Sequence, residues 1–307
     1  MKTYDVAVVG EIYLDHIFTG FAKWPQPGEE VFTREYVQEL GGGAAITACA
    51  LGQLQRSVRV VGVVGMKEMA WIAQRLSTFG VSSANLCAVD EATGVTVSVS
   101  TTVDRSFFTY LGANARLEEQ LASEPLIEHL TEARHVHFAM PITAALGAQL
   151  LDRLRSAGCT TSLDVGHQPH WLLDPANFVT CSRADYLLPN EREARIMCGG
   201  DGDAYLRFTE SRHWPSGVVK LGAHGAAMRD GNGTVQVDAL HVQAVDTTGA
   251  GDAFDAGLID GLLDGKSNRE CLRRGCICGG LSTRAVGALA GLPTRPDFDR
   301  CYEEIYG

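Results

Sequence analysis

The sequence contains 307 residues, enough to bury a sizeable hydrophobic core without disulfides or structural metals. With 45% hydrophobic residues, 21% charged residues and a formal net charge of −11, its composition is globular and excludes intrinsic disorder and a broad basic surface for nucleic acid. Its nine cysteines form no C-x-x-C pair and its uncharged stretches are too short to span a membrane, so we expect a cytoplasmic protein with reduced thiols.

Predicted strands and helices alternate along most of the chain. Near-continuous apolar runs at 4–9 and 59–64 are typical of buried parallel strands, and a helical pattern over 66–79 follows the second. Further strands, with a helix at 143–156 between the first two, are predicted at 135–139, 160–165, 184–188 and 217–221. Two long helices are predicted at 250–263 and 268–285. This alternation predicts an α/β fold whose mainly parallel central sheet is covered by helices on both faces.

Two segments depart from this alternation. Over 12–38 and 93–111, polar and apolar residues alternate as in antiparallel ribbons with one face open to solvent. Such ribbons lie outside the main sheet of a parallel α/β protein, so we expect them to form a small β lid. No linker or internal repeat divides the chain, which predicts a single domain over 1–307. Phe108 and Tyr110 share one face of the second ribbon, and packing within the lid is the favoured interpretation.

The stretch DTTGAGDAF at 246–254 carries the strongest chemical signal. Gly249, Ala250 and Gly251 allow a tight turn that presents backbone N–H groups, and the helix that follows adds the positive end of its dipole. Together they predict an anion pocket suited to a phosphoryl group in transfer. Asp252, in the first turn beside this pocket, can accept the proton of an attacking alcohol. The structural alternative for Asp252 is a helix-capping role.

This stretch resembles the C-terminal signature of the ribokinase-like, or PfkB, family of carbohydrate kinases. Other matches follow in the family's order: GEIYLDHI at 10–17, GGGAAITACALG at 41–52, NERE at 190–193 and KLGAHG at 220–225. Because so many ordered matches do not arise by accident, the sequence is identified as a member of this family. The resemblance implies a ribokinase-like three-layer α/β/α fold. It also implies ATP-dependent phosphorylation of a hydroxymethyl group on a sugar-like alcohol, with Asp252 as general base.

The resemblance further implies where the alcohol binds. Asp15 matches the acid that holds sugar hydroxyls, and it follows a strand's carboxyl end, where open α/β sheets bind ligands. Gly42 and Gly43 match the family's double glycine, whose backbone touches the substrate. Asn114 lies in the segment that closes over the sugar. Where relatives carry an asparagine that bonds the substrate, this sequence has Ile46, so one polar contact is missing or shifted and ribose and fructose are expected to be poor substrates.

The nucleotide side is implied in the same way. The residues matched to ATP binding are Asn190, Lys220, Gly222, Gly225 and Cys276. Glu193 is implied to hold Mg²⁺ through water, and its spacing from Asn190 is also that of a helix capping box. Asp246 and Thr248 are implied to hold a monovalent cation such as K⁺. The cofactors expected from the resemblance are therefore ATP, Mg²⁺ and K⁺.

Two other functions stay open at this stage. Aromatic residues such as Phe18 and Phe108 could stack a base, as in a nucleoside kinase of the same fold. The departures from the family pattern at Ile46, Lys67 and Cys276 are compatible with a non-catalytic sugar-binding homologue. The open strand edges of the ribbons also favour a homodimer formed through the lid.

Overall fold

The computed structural model describes residues 2–101, 105–166 and 168–307. The strands within these ranges are β1 (Tyr4–Val9), β2 (Tyr13–Phe21), β3 (Glu35–Gly41), β4 (Val58–Gly65), β5 (Val81–Val89), β6 (Gly94–Thr101), β7 (Arg105–Tyr110), β8 (Ala133–Phe138), β9 (Thr160–Leu163), β10 (Tyr186–Leu187), β11 (Gly217–Lys220), β12 (Ala226–Asp230) and β13 (Gly233–Val237). Six of them form a parallel central sheet in the order β10-β9-β8-β1-β4-β5. This confirms the predicted α/β sheet.

The helices of the described ranges follow the strands in the expected alternation. They are α1 (Gly43–Gln53), α2 (Met69–Ser77), α3 (Leu117–Leu121), α4 (Glu124–Thr131), α5 (Ala144–Ser156), α6 (Pro169–Leu173), α7 (Phe178–Arg183), α8 (Glu191–Cys198), α9 (Gly202–Ser211), α10 (Ala250–Leu263), α11 (Asn268–Ser282) and α12 (Arg295–Tyr306). In these ranges we find no helix of the length and apolar character that crossing a bilayer requires.

The central sheet separates two hydrophobic cores, because successive side chains of a strand point to opposite faces. In β1, Ala7 and Val9 belong to one core and Val6 and Val8 to the other, and all four are fully buried. A strand buried on both faces has the continuous apolar sequence from which β1 was predicted. The result is the predicted three-layer arrangement.

Element ends differ from the sequence predictions where polar side chains intervene. The helix expected from 66 begins at Met69, after a turn over 66–68 in which the Glu68 carboxylate accepts a hydrogen bond from the Thr93 hydroxyl at 2.9 Å. The strand expected to reach 165 ends at Leu163, because the next residue, Asp164, forms a turn in which its carboxylate accepts from the Gly166 amide.

The lid is a separate four-stranded sheet in the order β3-β2-β6-β7. β2 pairs antiparallel with β3, β6 pairs antiparallel with β7, and a parallel pairing of β2 with β6 joins the two ribbons. The ribbon expected over 12–38 is not continuous, since β2 ends at Phe21 and β3 begins only at Glu35. Phe108 and Tyr110 are more than half exposed, so the expectation that they form a buried core of the lid was wrong, although Phe108 stacks on Trp24 at the lid surface. Residues 102–104 of the second ribbon lie outside the described residues.

Candidate active site

Asp15 lies on β2, directly over the backbone that leads from β3 into α1. A Cβ placed on Gly41 would lie only 2.0 Å from Asp15 Oδ2, so the carboxylate occupies the space that a side chain there would need. Glu39 faces Asp15 across the β2–β3 pair. Burial, and then the charge of Glu39, raise the pKa of Asp15 to about 7.

The double glycine connects this carboxylate to the second one. Gly42 has a φ of 92°, and a Cβ on it would lie 2.3 Å from the Glu11 carbonyl oxygen, so only glycine fits. A Cβ on Gly43 would lie 2.9 Å from Asp252 Oδ1. The glycine segment therefore runs between Asp15 at one end and Asp252 at the other.

Asp252 lies in the first turn of α10, whose N-cap is Gly249 in the left-handed conformation with a φ of 74°. Of the amides in this turn, the Ala250 N–H donates to the Thr247 carbonyl at 3.2 Å and is thus engaged within the turn. Gly249 has no side chain with which to cap the helix, so amides of the first turn such as that of Gly251 are the groups an anion can use there. Burial, and then the charge of Asp164, raise the pKa of Asp252 to about 7.

A cavity of about 300 Å³ opens on the other side of Gly251. It brings together four of the residues matched to ATP binding, Lys220, Gly222, Gly225 and Cys276. The rest of its lining is mostly small and apolar: Ala223, Ala239, Leu240, Val242, Ala244, Thr247, Ala250, Phe254, Gly279, Gly280 and Thr283. An apolar slot that ends at a helix N-terminus suits a flat base with a phosphate chain attached.

Lys220 forms a buried ion cluster between this cavity and Asp252. Its ammonium lies 2.7 Å from Asp164 Oδ2 and 3.1 Å from Asp255 Oδ2. Burial alone would lower the pKa of Lys220, but the two carboxylates outweigh it and raise the pKa, so the lysine is charged. A Cβ on Gly251 would lie 3.5 Å from the ammonium nitrogen, which places this charge beside the anion pocket.

Asn190 and Glu193 form the capping box that their spacing predicted. The Glu193 amide donates to Asn190 Oδ1 at 3.0 Å, and the Asn190 amide donates to Glu193 Oε2 at 2.8 Å. Both residues lie outside the lining of the cavity, although Asn190 is bridged to Lys220 on β11. Burial, and then the charge of Asp164, raise the pKa of Glu193.

Two residues matched to substrate binding are engaged with the protein itself. The Asn114 side chain accepts a hydrogen bond from the Ile12 amide at 3.0 Å and donates to the Ile12 carbonyl at 2.9 Å, so it fixes the loop between β1 and β2. Ile46 is 4% exposed and belongs to the core beside α1. A Cβ on Gly249 would lie 3.2 Å from Ile46, which shows that Ile46 supports the turn of the anion pocket from below.

The pair matched to a monovalent cation binds a side chain instead. Arg105, the first residue of β7, lies 2.9 Å from Asp246 Oδ1 and also donates to the Thr248 hydroxyl. The structure thus provides a guanidinium where the resemblance implies K⁺.

Comparison with known proteins identifies the family of the chain. The family model described as pfkB family carbohydrate kinase matches residues 4–295. The chain belongs to this family. It is therefore a carbohydrate kinase, a phosphotransferase with an alcohol group as acceptor.

Individual relatives of this pfkB kinase act on different substrates. A 2-dehydro-3-deoxygluconokinase of Bacillus subtilis is 29% identical over 277 residues, covering 83% of this chain and 84% of that protein. The structure of Arabidopsis thaliana ribokinase with ribose and ATP superposes with a TM-score of 0.86 at 26% identity, covering 98% of each chain. A Burkholderia thailandensis nucleoside kinase in complex with inosine shares the fold, with a TM-score of 0.82 at 22% identity, covering 98% of this chain and 99% of that one.

Three residues that lie close to the candidate site were not among the predicted site residues. Asp255 follows Asp252 by three positions, a spacing that shares a helix face and could have indicated a second carboxylate. Asp164 follows directly on β9, where α/β sheets bind ligands. Arg105 carries no local signal, because it reaches Asp246 through the placement of the lid, 141 residues away in sequence.

Proposed function

We propose that the protein transfers the terminal phosphoryl group of ATP to a hydroxymethyl group of a monosaccharide or sugar-like alcohol. One observation carries the proposal: the glycine segment ends at Asp252, and the cavity begins at the neighbouring Gly251. An alcohol lying over the glycines would meet Asp252 on the side from which a phosphate chain in the cavity approaches. That is the in-line arrangement that phosphoryl transfer needs.

Each residue then has a distinct task. Asp15 accepts hydrogen bonds from substrate hydroxyls, and Asp252 accepts the proton of the attacking hydroxyl as its oxygen bonds to phosphorus. The first-turn amide of Gly251 and the dipole of α10 stabilise the negative charge of the phosphoryl group in transfer. Lys220 adds a fixed positive charge beside this pocket. The lid, whose strand β2 carries Asp15, would exclude water, which otherwise would accept the phosphoryl group.

The carboxylates of the site fit the Mg²⁺ that the resemblance implies. Asp164, Glu193, Asp252 and Asp255 interact electrostatically with one another, and Lys220 supplies one positive charge against them. Within the described residues, no three His, Cys, Asp or Glu side chains converge to hold a metal ion directly. Glu193 would thus hold Mg²⁺ through water, with the remaining ligands from the nucleotide. When bound, the ion neutralises phosphate charge.

The decisive experiment is an ATP-consumption screen with Mg²⁺ over pentoses, hexoses, ketoses and nucleosides. We expect turnover with at least one sugar to exceed the rate without acceptor. ATP consumption that no alcohol raises above the background without enzyme would contradict the proposal and favour a non-catalytic homologue.

A nucleoside kinase is the second candidate, favoured by aromatic residues on the lid. Trp24 and Phe108 stack with ring centroids 6.0 Å apart, and both are substantially exposed. Such rings can stack on a base. In the same screen, turnover confined to nucleosides would select this candidate over the sugar kinase.

The lid surface also supports the proposed homodimer. Side chains exposed there include Phe32, Tyr36, Phe107, Phe108 and Tyr110, and β3 and β7 are open sheet edges. Exposed apolar side chains and unpaired strand edges both favour association with a second copy.

The raised pKa values of Asp15 and Asp252 predict a steep acid limb in the rate profile. Both carboxylates act in the ionised form, and each is protonated below about pH 7. As pH falls below 7, kcat/KM for the alcohol should therefore approach a decrease of about a hundredfold per pH unit, and kcat about tenfold. Steady-state rates from pH 5 to 9 measure this. In Asp15→Asn, kcat/KM should fall by only about tenfold per pH unit below pH 7. A wild-type rate profile that is flat over this range would contradict the roles of both carboxylates.

Ile46 is expected to matter through packing. Replacing it by asparagine would bury an amide without partners beneath Gly249, at a cost of about 1–3 kcal/mol in the free energy of unfolding. Ile46→Val, the matched control, should cost about 0.5–1.5 kcal/mol. Denaturant unfolding of both variants measures the difference. If Ile46→Asn is as stable as wild type and gains activity on ribose, the side chain borders the substrate after all.

A further inference from the structure

Arg105 connects the lid to the loop that precedes the anion pocket. Its guanidinium bonds Asp246 Oδ1 at 2.9 Å and the Thr248 hydroxyl, and Thr248 immediately precedes Gly249, the N-cap of α10. The Asp246 side chain is only 9% exposed and that of Arg105 30%, so the pair is largely shielded from solvent. This distinguishes it from the exposed ion pairs that contribute little.

Donors surround both carboxylate oxygens of Asp246. Oδ1 also accepts from the Thr248 amide at 3.0 Å and the Thr248 hydroxyl at 2.7 Å, and Oδ2 accepts from the Gly287 amide at 3.0 Å. A metal ion needs oxygen ligands with free lone pairs directed at it, whereas the oxygens of the Asp246 carboxylate already accept from N–H groups and a guanidinium. The residues therefore do not fit a bound K⁺.

We propose that the guanidinium of Arg105 replaces a monovalent cation beside the anion pocket, and that this kinase works without K⁺. The inference rests on the proposed function, because it concerns the same site. Arg105 is a positioning residue: it acts through Asp246 and Thr248 on the turn at Gly249. The guanidinium supplies the positive charge that a bound K⁺ would supply, and it does so whatever the ionic composition of the medium.

Because Arg105 comes from the lid, it also connects the position of the lid to the charge beside the anion pocket. Arg105 belongs to β7 of the lid, whereas Asp246 and Thr248 belong to the loop that precedes the anion pocket. The loop therefore receives its positive charge only while the lid lies over the site. The cover of the substrate and the electrostatics of the anion pocket are thereby coupled through one side chain.

The test compares wild type with Arg105→Gln, which removes the charge, and Arg105→Lys, which keeps it. Arg34→Gln removes a charge from an exposed lid position and serves as the matched control. Each protein is measured in tetramethylammonium chloride and in KCl at equal ionic strength. The two readouts are the thermal midpoint, which needs no activity, and ATP turnover with the best acceptor of the screen.

We expect wild type, Arg105→Lys and Arg34→Gln to give the same midpoint and turnover in both salts. Arg105→Gln should lose about tenfold or more in turnover without K⁺. KCl should then raise its midpoint by roughly a few degrees, as binding to the folded state does, and restore part of its turnover.

Two results would overturn the inference. One is a higher midpoint or several-fold higher turnover of wild type in KCl. The other is an Arg105→Gln variant that is folded and equally indifferent to K⁺ by both readouts. If Arg105→Gln does not fold, the wild-type and Arg105→Lys comparisons decide. Absence of turnover with every acceptor would instead contradict the proposed function, and the midpoints would still test Arg105.

Discussion

Replacing Asp252 with asparagine is expected to lower kcat by about 10²–10⁴-fold while the protein stays folded. Asparagine is nearly isosteric and fits beside Gly43, but it cannot accept the proton of the attacking hydroxyl. Initial rates at saturating ATP and acceptor measure the loss, and circular dichroism verifies the fold. Because Asp252 also carries a charge in a first helical turn, the variant needs a control for the helix dipole.

Asp203 provides that control, since it is an exposed acidic residue in the first turn of α9. Asp203→Asn removes the same type of charge from the first turn of a helix outside the site and should leave kcat unchanged. If Asp252→Asn retains the activity of wild type, Asp252 serves only the helix, and the mechanism proposed for this site fails.

Replacing Asp15 with alanine is expected to raise KM for the alcohol by about 10²–10⁴-fold, with KM for ATP nearly unchanged. The carboxylate can accept two charge-assisted hydrogen bonds from adjacent hydroxyls, each contributing about 1.5–3 kcal/mol. The nucleotide cavity lies on the far side of Gly251, so its lining is not altered. Saturation kinetics in each substrate separate the two effects.

His16→Ala, the neighbouring position on β2, controls for disturbance of the lid, since His16 bonds the Tyr36 hydroxyl at 2.8 Å. Its KM for the alcohol should change little by comparison. An equal rise in both KM values for Asp15→Ala would mean that Asp15 holds the active site together rather than binding the acceptor.

The sequence predicted those features of the structure that are determined by residues close together in the chain, and it predicted poorly those that depend on distant residues. β1 was predicted with its observed bounds because burial on both faces leaves an uninterrupted apolar run. The helix at Ala250–Leu263 was also predicted with its observed bounds, since the glycine turn marks its start. β5 was missed because an edge strand that alternates polar and apolar residues, VSSANLCAV, gives only a weak signal.

Site residues follow the same rule. The predicted ATP residues Lys220, Gly222, Gly225 and Cys276 do meet at one cavity, since they lie at ends and turns of elements that the fold brings together. Their hydrogen-bond partners were beyond reach of the sequence. The engagement of Asn114 with Ile12 depends on pairings between residues more than a hundred positions apart.

The three glycines under the substrate site leave almost no room for evolutionary change. A side chain on Gly41 would collide with Asp15, one on Gly42 with the Glu11 carbonyl, and one on Gly43 with Asp252. Substitutions at these glycines are harmful whichever alcohol the enzyme uses, so its substrate specificity cannot change through this surface. New acceptors have to be accommodated from above, by side chains of the lid, where exposed positions tolerate substitution. Related enzymes can thus keep the same glycine segment and carboxylates while the side chains of their lids differ.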